Sequence, residues 1–210
     1  MMRNDLQNLL ISNAYRSGNY TLSSGKTSTH YVNCKPVTLS ARGNYLVSNL
    51  ILQYIDVQDK YVAGLTLGAD PIVSGVAYAS YFWSTLRELA HSPNMTEPKK
   101  GVWDNNKELR AYLARPQQLD ALIIRKEPKG HGTTSQIEGP LPPKGSKVVV
   151  LEDVVTTGGS CLKAVKVLRD AGYPVTKVIT IVDRLESDPN IWYNNDIELK
   201  SIFTINDLCK

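Results

Sequence analysis

The stretch from residue 147 to residue 165 is the feature that most limits what this chain can fold into. It reads KVVVLEDVVTTGGSCLKAV, in which four apolar residues lead into two acids, a turn rich in Thr and Gly, and then apolar positions at helical spacing. The apolar run predicts a buried strand over 147–152, and the later spacing predicts a helix over 159–171. A strand without polar alternation is typical of a parallel sheet that helices cover on both faces.

The same alternation of strand and helix patterns runs through the 210 residues. Further strand patterns lie within 60–72, 119–126, 177–182 and 199–205, and helical patterns lie at 5–16, at 41–55 and from Pro71 to about residue 90. We therefore predict an α/β fold with a central, mostly parallel sheet flanked by helices. Ligands bind such sheets at the carboxyl ends of the strands. Four polar segments follow predicted strands and are expected to meet there: TLGADP, RKEPKGHG, EDVVTTGGS and DRLES.

The composition narrows the class of protein further. Hydrophobic residues make up 42% and charged residues 21%, and the net charge is only +4, so nothing global points to a nucleic-acid partner. The cysteines and histidines show neither disulfide-framework nor metal-ligand spacing; they are Cys34, Cys161, Cys209, His30, His91 and His131. No signal peptide and no apolar run of about 20 residues is present. We expect a cytoplasmic protein that binds neither membrane nor nucleic acid.

The turn after the predicted strand, TTGGS at 156–160, can hold a phosphate. Backbone N–H groups at a helix start and nearby hydroxyls form an anion site. An ordinary turn with Ser160 as the N-cap is the better interpretation of TTGGS alone. Glu152 and Asp153, called the acid pair below, change this because they would repel a bare phosphate but can bind vicinal hydroxyls or a Mg²⁺-bound group. A ribose 5-phosphate satisfies both halves of the segment.

Two other segments carry cations toward the same edge. Residues 124–139, IRKEPKGHGTTSQIEG, place Arg125, Lys126, Lys129 and His131 within seven residues. A solvated basic loop is the simple interpretation, whereas a closing lid could neutralise an acidic ligand and exclude water. Arg184 follows the strand at 177–182 and could simply pair with Asp183 or Glu186.

Several of these segments resemble one known family. VVVLEDVVTTGGS resembles the phosphoribosyl-pyrophosphate (PRPP) motif of type I phosphoribosyltransferases, and the segment ending in QIEG is similar to the catalytic loop of the orotate phosphoribosyltransferases. LSSGKTSTHYVNCK and GLTLGADPI are similar to that family's hood and pyrophosphate loop. The resemblance spans about residues 16–186. It implies a single domain over 1–210 with the type I phosphoribosyltransferase fold, a small N-terminal hood mainly at 1–40, and a mobile lid at 125–140.

The resemblance also implies a role for each matched residue. Lys129, His131 and Asp153 would be catalytic, and orotate would meet Thr156, Arg184, Tyr31 and Val32. PRPP would contact Arg125, Lys126, Lys129, His131, Glu152, Asp153, Val154, Val155, Thr156, Thr157, Gly158, Gly159 and Ser160. Mg²⁺ would serve as cofactor with few protein ligands, so no residue is assigned as a metal ligand. In a homodimer, the lid would reach the neighbouring subunit's site, while Lys126 would serve its own.

The implied reaction converts orotate and PRPP into orotidine 5′-monophosphate and pyrophosphate, a step of de novo pyrimidine biosynthesis. The chain departs from the family pattern in lacking a lysine at Ser23 and a Tyr-Lys pair near Leu67–Gly68, and in carrying a predicted surface insertion at 91–118. Two alternatives stay open. One is a type I phosphoribosyltransferase for another base, and the other is a non-enzymatic regulator that senses PRPP.

Overall fold

A computed structural model describes residues 1–21, 27–90, 118–128 and 136–209. Three predicted features therefore lie wholly or almost wholly outside the described residues. They are Ser23, the insertion at 91–118, and the centre of the lid with Lys129 and His131.

The described elements alternate as the sequence predicts, with additional short pieces at the ends. In chain order they are α1 (Met2–Asn13), β1 (Tyr15–Thr21), β2 (Thr27–Val32), α2 (Lys35–Thr38), α3 (Ala41–Ile51), β3 (Tyr61–Leu65), α4 (Asp70–Ala90), β4 (Asp120–Ile124), β5 (Ile137–Glu138), β6 (Val148–Val155), α5 (Gly159–Asp170), β7 (Lys177–Asp183), α6 (Pro189–Tyr193), β8 (Glu198–Thr204) and α7 (Ile205–Leu208).

Within the described residues, the central sheet has six strands in the order β5-β4-β3-β6-β7-β8. Its internal pairs are parallel, and only the two-residue edge strand β5 runs antiparallel, against β4. This confirms the predicted α/β fold with a mostly parallel sheet. β1 and β2 form a separate antiparallel hairpin. In the part of the chain that the structure describes, no helix is both long and apolar enough to cross a membrane.

Strand β6 is apolar without alternation because both of its faces are buried. Val149 and Leu151 belong to the core that packs against α1, α3 and α4. Val148 and Val150 belong to a second core, which packs against α5. Helices on both faces of the sheet thus leave the carboxyl edge of the strands as the place where polar residues gather.

Two predicted boundaries are wrong, each because a tertiary contact extends a strand. The strand predicted to end at residue 152 continues to Val155, since Glu152 and Val154 pair in register with Thr180 and Val182 of β7. The acid pair therefore lies inside β6. The helix predicted over 5–16 ends at Asn13, because the chain turns at once into β1, where Tyr15 pairs with Val32.

Candidate active site

The ends of β3 and β6 bring two of the predicted site segments into direct contact. The two strands are parallel neighbours, and the turn after β3 contains Gly68. A Cβ atom added to Gly68 would lie 2.5 Å from Asp153 Oδ1 and 2.7 Å from its Cγ. The carboxylate of Asp153 thus lies directly against the backbone of the predicted pyrophosphate loop.

The two members of the acid pair have different surroundings. Glu152 is only 6% exposed, and the thiol of Cys161 on α5 donates to its Oε2 at 3.7 Å. Burial, together with the adjacent Asp153 charge, raises the pKa of Glu152 to about 8. Asp153 is half-buried, and its Oδ1 accepts a hydrogen bond from the backbone N–H of Val154 at 3.0 Å. One carboxyl group is therefore held within the protein while its neighbour reaches the edge of the site.

The predicted phosphate-binding turn forms a single small concavity. It has a volume of about 50 Å³ and is lined by consecutive residues from Val154 to Cys161. α5 begins at Gly159, and Gly158 takes the N-cap position with a φ of 84°, where a side chain would be strained. The interpretation of Ser160 as the N-cap is thus wrong, because Ser160 lies within the first turn of the helix. Its hydroxyl and the first helical N–H groups remain beside the concavity.

Trp192 lies directly behind this turn. A Cβ atom on Gly158 would lie 3.0 Å from Trp192 Cζ2, so the turn can pack there only with glycine. Trp192 is 7% exposed, and its indole N–H donates to Ser187 Oγ at 3.0 Å. The glycine at this position is explained by both its backbone conformation and its close packing.

Arg184 lies at the end of β7 and joins the central sheet to the hood hairpin. Its Nη2 donates to Ser28 Oγ at 2.8 Å and to the backbone carbonyl oxygen of His30 at 3.2 Å. The same nitrogen pairs with Glu186 Oε1 at 2.6 Å. The sequence left Asp183 or Glu186 as the partner of Arg184, and the structure shows an ion pair with Glu186.

Hood residues alternate in exposure along β2, which puts the two predicted base contacts on opposite faces of the strand. Tyr31 is 42% exposed and its ring centroid lies 5.3 Å from that of Tyr20. Val32 is half-buried and packs against the main core. Thr156, the third predicted contact, is half-buried in the turn that follows β6. The roles predicted for these residues toward orotate stay predictions.

The two ends of the lid are paired with each other. β4 and β5 meet in register at Ile124 and Ile137, and the backbone N–H of Arg125 donates to the carbonyl of Gln136 at 2.8 Å. The side chain of Arg125 lies 3.5 Å from Glu138 of its own subunit. Lys126 is exposed. The described part of the lid is thus a hairpin base at the sheet edge, next to β3.

Sequence reasoning missed three polar groups that hold the site together. They are the thiol of Cys161 on Glu152, and the hydroxyl of Ser28 and the carbonyl of His30 on Arg184. Cys161 could have been found, because the first turn of a helix that follows a strand faces that strand's end. The contacts of Arg184 could not, since they join positions more than 150 residues apart.

Comparison with known proteins gives one consistent family. A model of the phosphoribosyl transferase domain matches residues 111–207. The orotate phosphoribosyltransferase of Thermosynechococcus vestitus is 47% identical over 207 residues, which cover 99% of this chain and 93% of that protein. The corresponding enzyme of a Nostoc species is 42% identical, covering 99% of this chain and 85% of that protein.

Solved structures agree with the curated relatives. The orotate phosphoribosyltransferase of Mycobacterium tuberculosis superposes with a TM-score of 0.69 at 29% identity, covering 100% of both chains. That of Aeropyrum pernix superposes with a TM-score of 0.67 at 27% identity, covering 99% of this chain and 96% of that one. The predicted type I phosphoribosyltransferase fold is thereby confirmed, and the chain belongs to the orotate phosphoribosyltransferase family.

Proposed function

We propose that this chain catalyses the reaction of its family, in which orotate displaces pyrophosphate from PRPP to give orotidine 5′-monophosphate. The observation that carries the proposal is the shared edge of three adjacent strands. It brings together the acid pair, the phosphate-binding turn and a buried arginine. A substrate with a phosphate, vicinal hydroxyls and an anionic base partner matches these three features.

PRPP is held by β6 and the turn that follows it. The 5′-phosphate occupies the concavity formed by the turn from Val154 to Cys161, where helical N–H groups and hydroxyls donate to its oxygens. Asp153 accepts from the ribose hydroxyls and lowers the energy of the positive charge that develops on the ring as pyrophosphate departs. A related structure supports PRPP as the ligand. The Mycobacterium tuberculosis enzyme in complex with PRPP superposes with a TM-score of 0.65 at 27% identity, covering 99% of both chains.

Glu152 acts alongside Asp153 but in a more buried place. Its raised pKa favours the protonated form when the site is empty, so it can donate to a ribose hydroxyl oxygen as well as accept. The Cys161 thiol fixes one of its oxygens, and burial raises the pKa of that thiol so that it stays a donor. The pair can therefore hold two neighbouring hydroxyls without two full negative charges.

Mg²⁺ is proposed to arrive with the pyrophosphate group. Within the described residues, no group of three His, Cys, Asp or Glu side chains forms a cage for a metal. This donor set fits Mg²⁺, which prefers phosphate oxygens, water and one or two carboxylates to an all-protein site. The carboxylate of Asp153 lies against the predicted pyrophosphate loop, through its contact with Gly68. The ion would neutralise charge on the leaving group.

The base is proposed to bind between β7 and the hood. Arg184 meets the orotate carboxylate, and Thr156 donates to the ring where a carboxylate side chain would repel an anionic base. Arg184 donates hydrogen bonds to Ser28 and His30 of β2, the strand that also carries Tyr31 and Val32. A phosphoribosyltransferase for a neutral base is disfavoured, because it would give this buried arginine no substrate carboxylate.

The lid is proposed to supply the cations that stabilise pyrophosphate, namely Lys129 and His131 with Arg125. The pairing of β4 with β5 brings the two ends of the predicted lid together at the sheet edge. We propose a homodimer in which this segment serves the partner's site, while Lys126 stays with its own. A regulator that only senses PRPP would not need these cations.

A cytoplasmic location suits the chain's cysteines, Cys34, Cys161 and Cys209, which are all free thiols.

The reaction itself is the test of the proposed function. Purified protein is incubated with orotate, PRPP and Mg²⁺, and both loss of orotate and release of pyrophosphate are followed. The proposal predicts equal amounts of orotate lost and pyrophosphate released, with no change when PRPP is left out. Pyrophosphate release without orotate loss would instead indicate another acceptor or simple hydrolysis.

A further inference from the structure

Arg184 is one of the most enclosed charged groups among the described residues, and its hydrogen bonds and ion pair with these residues all fall on one nitrogen. Its side chain is 4% exposed, and Nη2 contacts Ser28, His30 and Glu186. The neighbouring Nε is buried, and no hydrogen-bond partner reaches it from the described residues. A buried donor of this kind costs free energy unless a ligand satisfies it. The Nε–H of Arg184 is therefore available to a ligand that brings a hydrogen-bond acceptor.

The contact between Arg184 and Glu186 is built into the backbone. Leu185, which separates them, has a φ of 59°, a backbone conformation that residues other than glycine rarely adopt. Its N–H donates to Asp183 Oδ1 at 2.8 Å, which holds the turn. This turn of the backbone directs the side chains of Arg184 and Glu186 to the same place, where Arg184 Nη2 lies 2.6 Å from Glu186 Oε1.

Glu186 is not needed to keep Arg184 in position. The hood hydroxyl of Ser28 and the carbonyl of His30 hold Nη2 independently, at 2.8 and 3.2 Å. The Glu186 side chain is 34% exposed, so it can turn into water without losing much packing. Arg184 is thus anchored by the hairpin, whereas Glu186 is its displaceable partner among the described residues.

We propose that Glu186 is a specificity-determining residue that occupies Arg184 in place of the base's carboxylate and competes with it. The proposal rests on the proposed function, and it concerns how tightly that site holds its anionic base. An orotate carboxylate takes over the contact with Nη2 and satisfies Nε, while Glu186 turns outward. The same competition acts on the nucleotide product, which keeps the carboxylate, and so favours its release.

The competition acts on anionic ligands alone. A neutral base such as uracil has no carboxylate to displace Glu186 and leaves Nε without an acceptor. Removing the Glu186 charge therefore strengthens binding of orotate and of the product, and leaves PRPP and uracil unaffected. A residue that only positioned Arg184 would have the opposite effect on orotate.

Glu186→Gln tests this directly, with Asp170→Asn as the matched control. Asp170 forms an ion pair of the same 2.6 Å length, with Lys166 on α5. In Glu186→Gln we expect the KM for orotate and the inhibition constant of the product each to fall about two- to fivefold, the effect of removing one partly exposed ion pair. The KM for PRPP should stay within about twofold, and Asp170→Asn should behave as the parent.

Either of two results would overturn the proposal. A KM for orotate that rises would make Glu186 a positioning residue, and an unchanged KM and inhibition constant would show that no competition exists. These outcomes are distinct from failure of the proposed function, which would appear as a parent protein that consumes no orotate with PRPP. In that case both proposals fall together.

Discussion

Gly68→Ala is expected to damage PRPP binding far more than it damages folding. The new Cβ would lie 2.5 Å from Asp153 Oδ1, about 0.9 Å inside the 3.4 Å at which ordinary contact begins. Asp153 has to turn away, because the backbone of β6 is held on either side of it by the pairing of Glu152 and Val154 with β7. The carboxylate then moves by roughly 1 Å and gives up its hydrogen bond with the N–H of Val154.

The expected loss of stability and the expected loss of activity differ in size. Loss of one partly exposed hydrogen bond lowers the free energy of unfolding by about 1 kcal/mol. Misplacing a group that contacts the reacting ring by about 1 Å lowers the rate about 10²-fold. We therefore expect kcat/KM for PRPP to fall by about that factor, while the KM for orotate stays near its parent value.

Steady-state kinetics with varied PRPP and urea unfolding measure the two costs separately. Gly145→Ala is the control, because its φ of 84° makes a side chain strained although no atom lies within 4 Å. It should lose about 1–2 kcal/mol of stability and keep the parent's kinetics, since it lies before β6 at the other end of the strand. A folded Gly68→Ala protein with the parent's PRPP kinetics would refute the role given to this contact.

Three further predictions test the other parts of the site. Lys129→Ala should lower kcat about 10²–10³-fold if the lid stabilises pyrophosphate, and mixing it with an inactive Asp153→Asn protein should restore activity only if lids are exchanged between subunits. Nearly full activity of Lys129→Ala alone would contradict the lid role. Arg184→Met should raise the KM for orotate about ten- to hundredfold, the worth of a hydrogen bond to a charged group, and leave PRPP binding unchanged in a calorimetric titration. Equal losses for both substrates would indicate a structural role instead. Because the pKa of Glu152 is raised, its contribution to stability is full below its ordinary pKa and is lost as pH rises through about 8. Glu152→Gln should therefore lose less stability than the parent between about pH 4.5 and pH 8 in urea unfolding, and parallel curves for the two proteins would contradict the raised pKa.

The sheet could be predicted because its strands carry a strong local signal. A strand buried on both faces, such as β6, must be continuously apolar, and the glycine-rich turn after it must lead into a helix. Pro71 likewise predicted the start of α4, which begins at Asp70. These features depend on neighbours in sequence, so a single sequence contains them.

The details of the site depend on contacts that sequence spacing does not encode. Acids are unfavourable in a buried strand, which placed the predicted end of β6 at residue 152, yet pairing with β7 carries the strand to Val155. The pairing of Arg184 with the hood spans more than 150 positions. The close approach of Gly68 to Asp153 joins the loop after β3 to strand β6. Each is a consequence of tertiary packing.

The measurement that tests the account most directly follows the PRPP-dependent loss of four bases by the purified protein with Mg²⁺. Orotate, uracil, adenine and hypoxanthine are offered in parallel reactions. The account predicts that orotate alone is consumed, because only its carboxylate satisfies the buried Arg184. Consumption of a neutral base at a comparable rate would contradict the assignment of the base site.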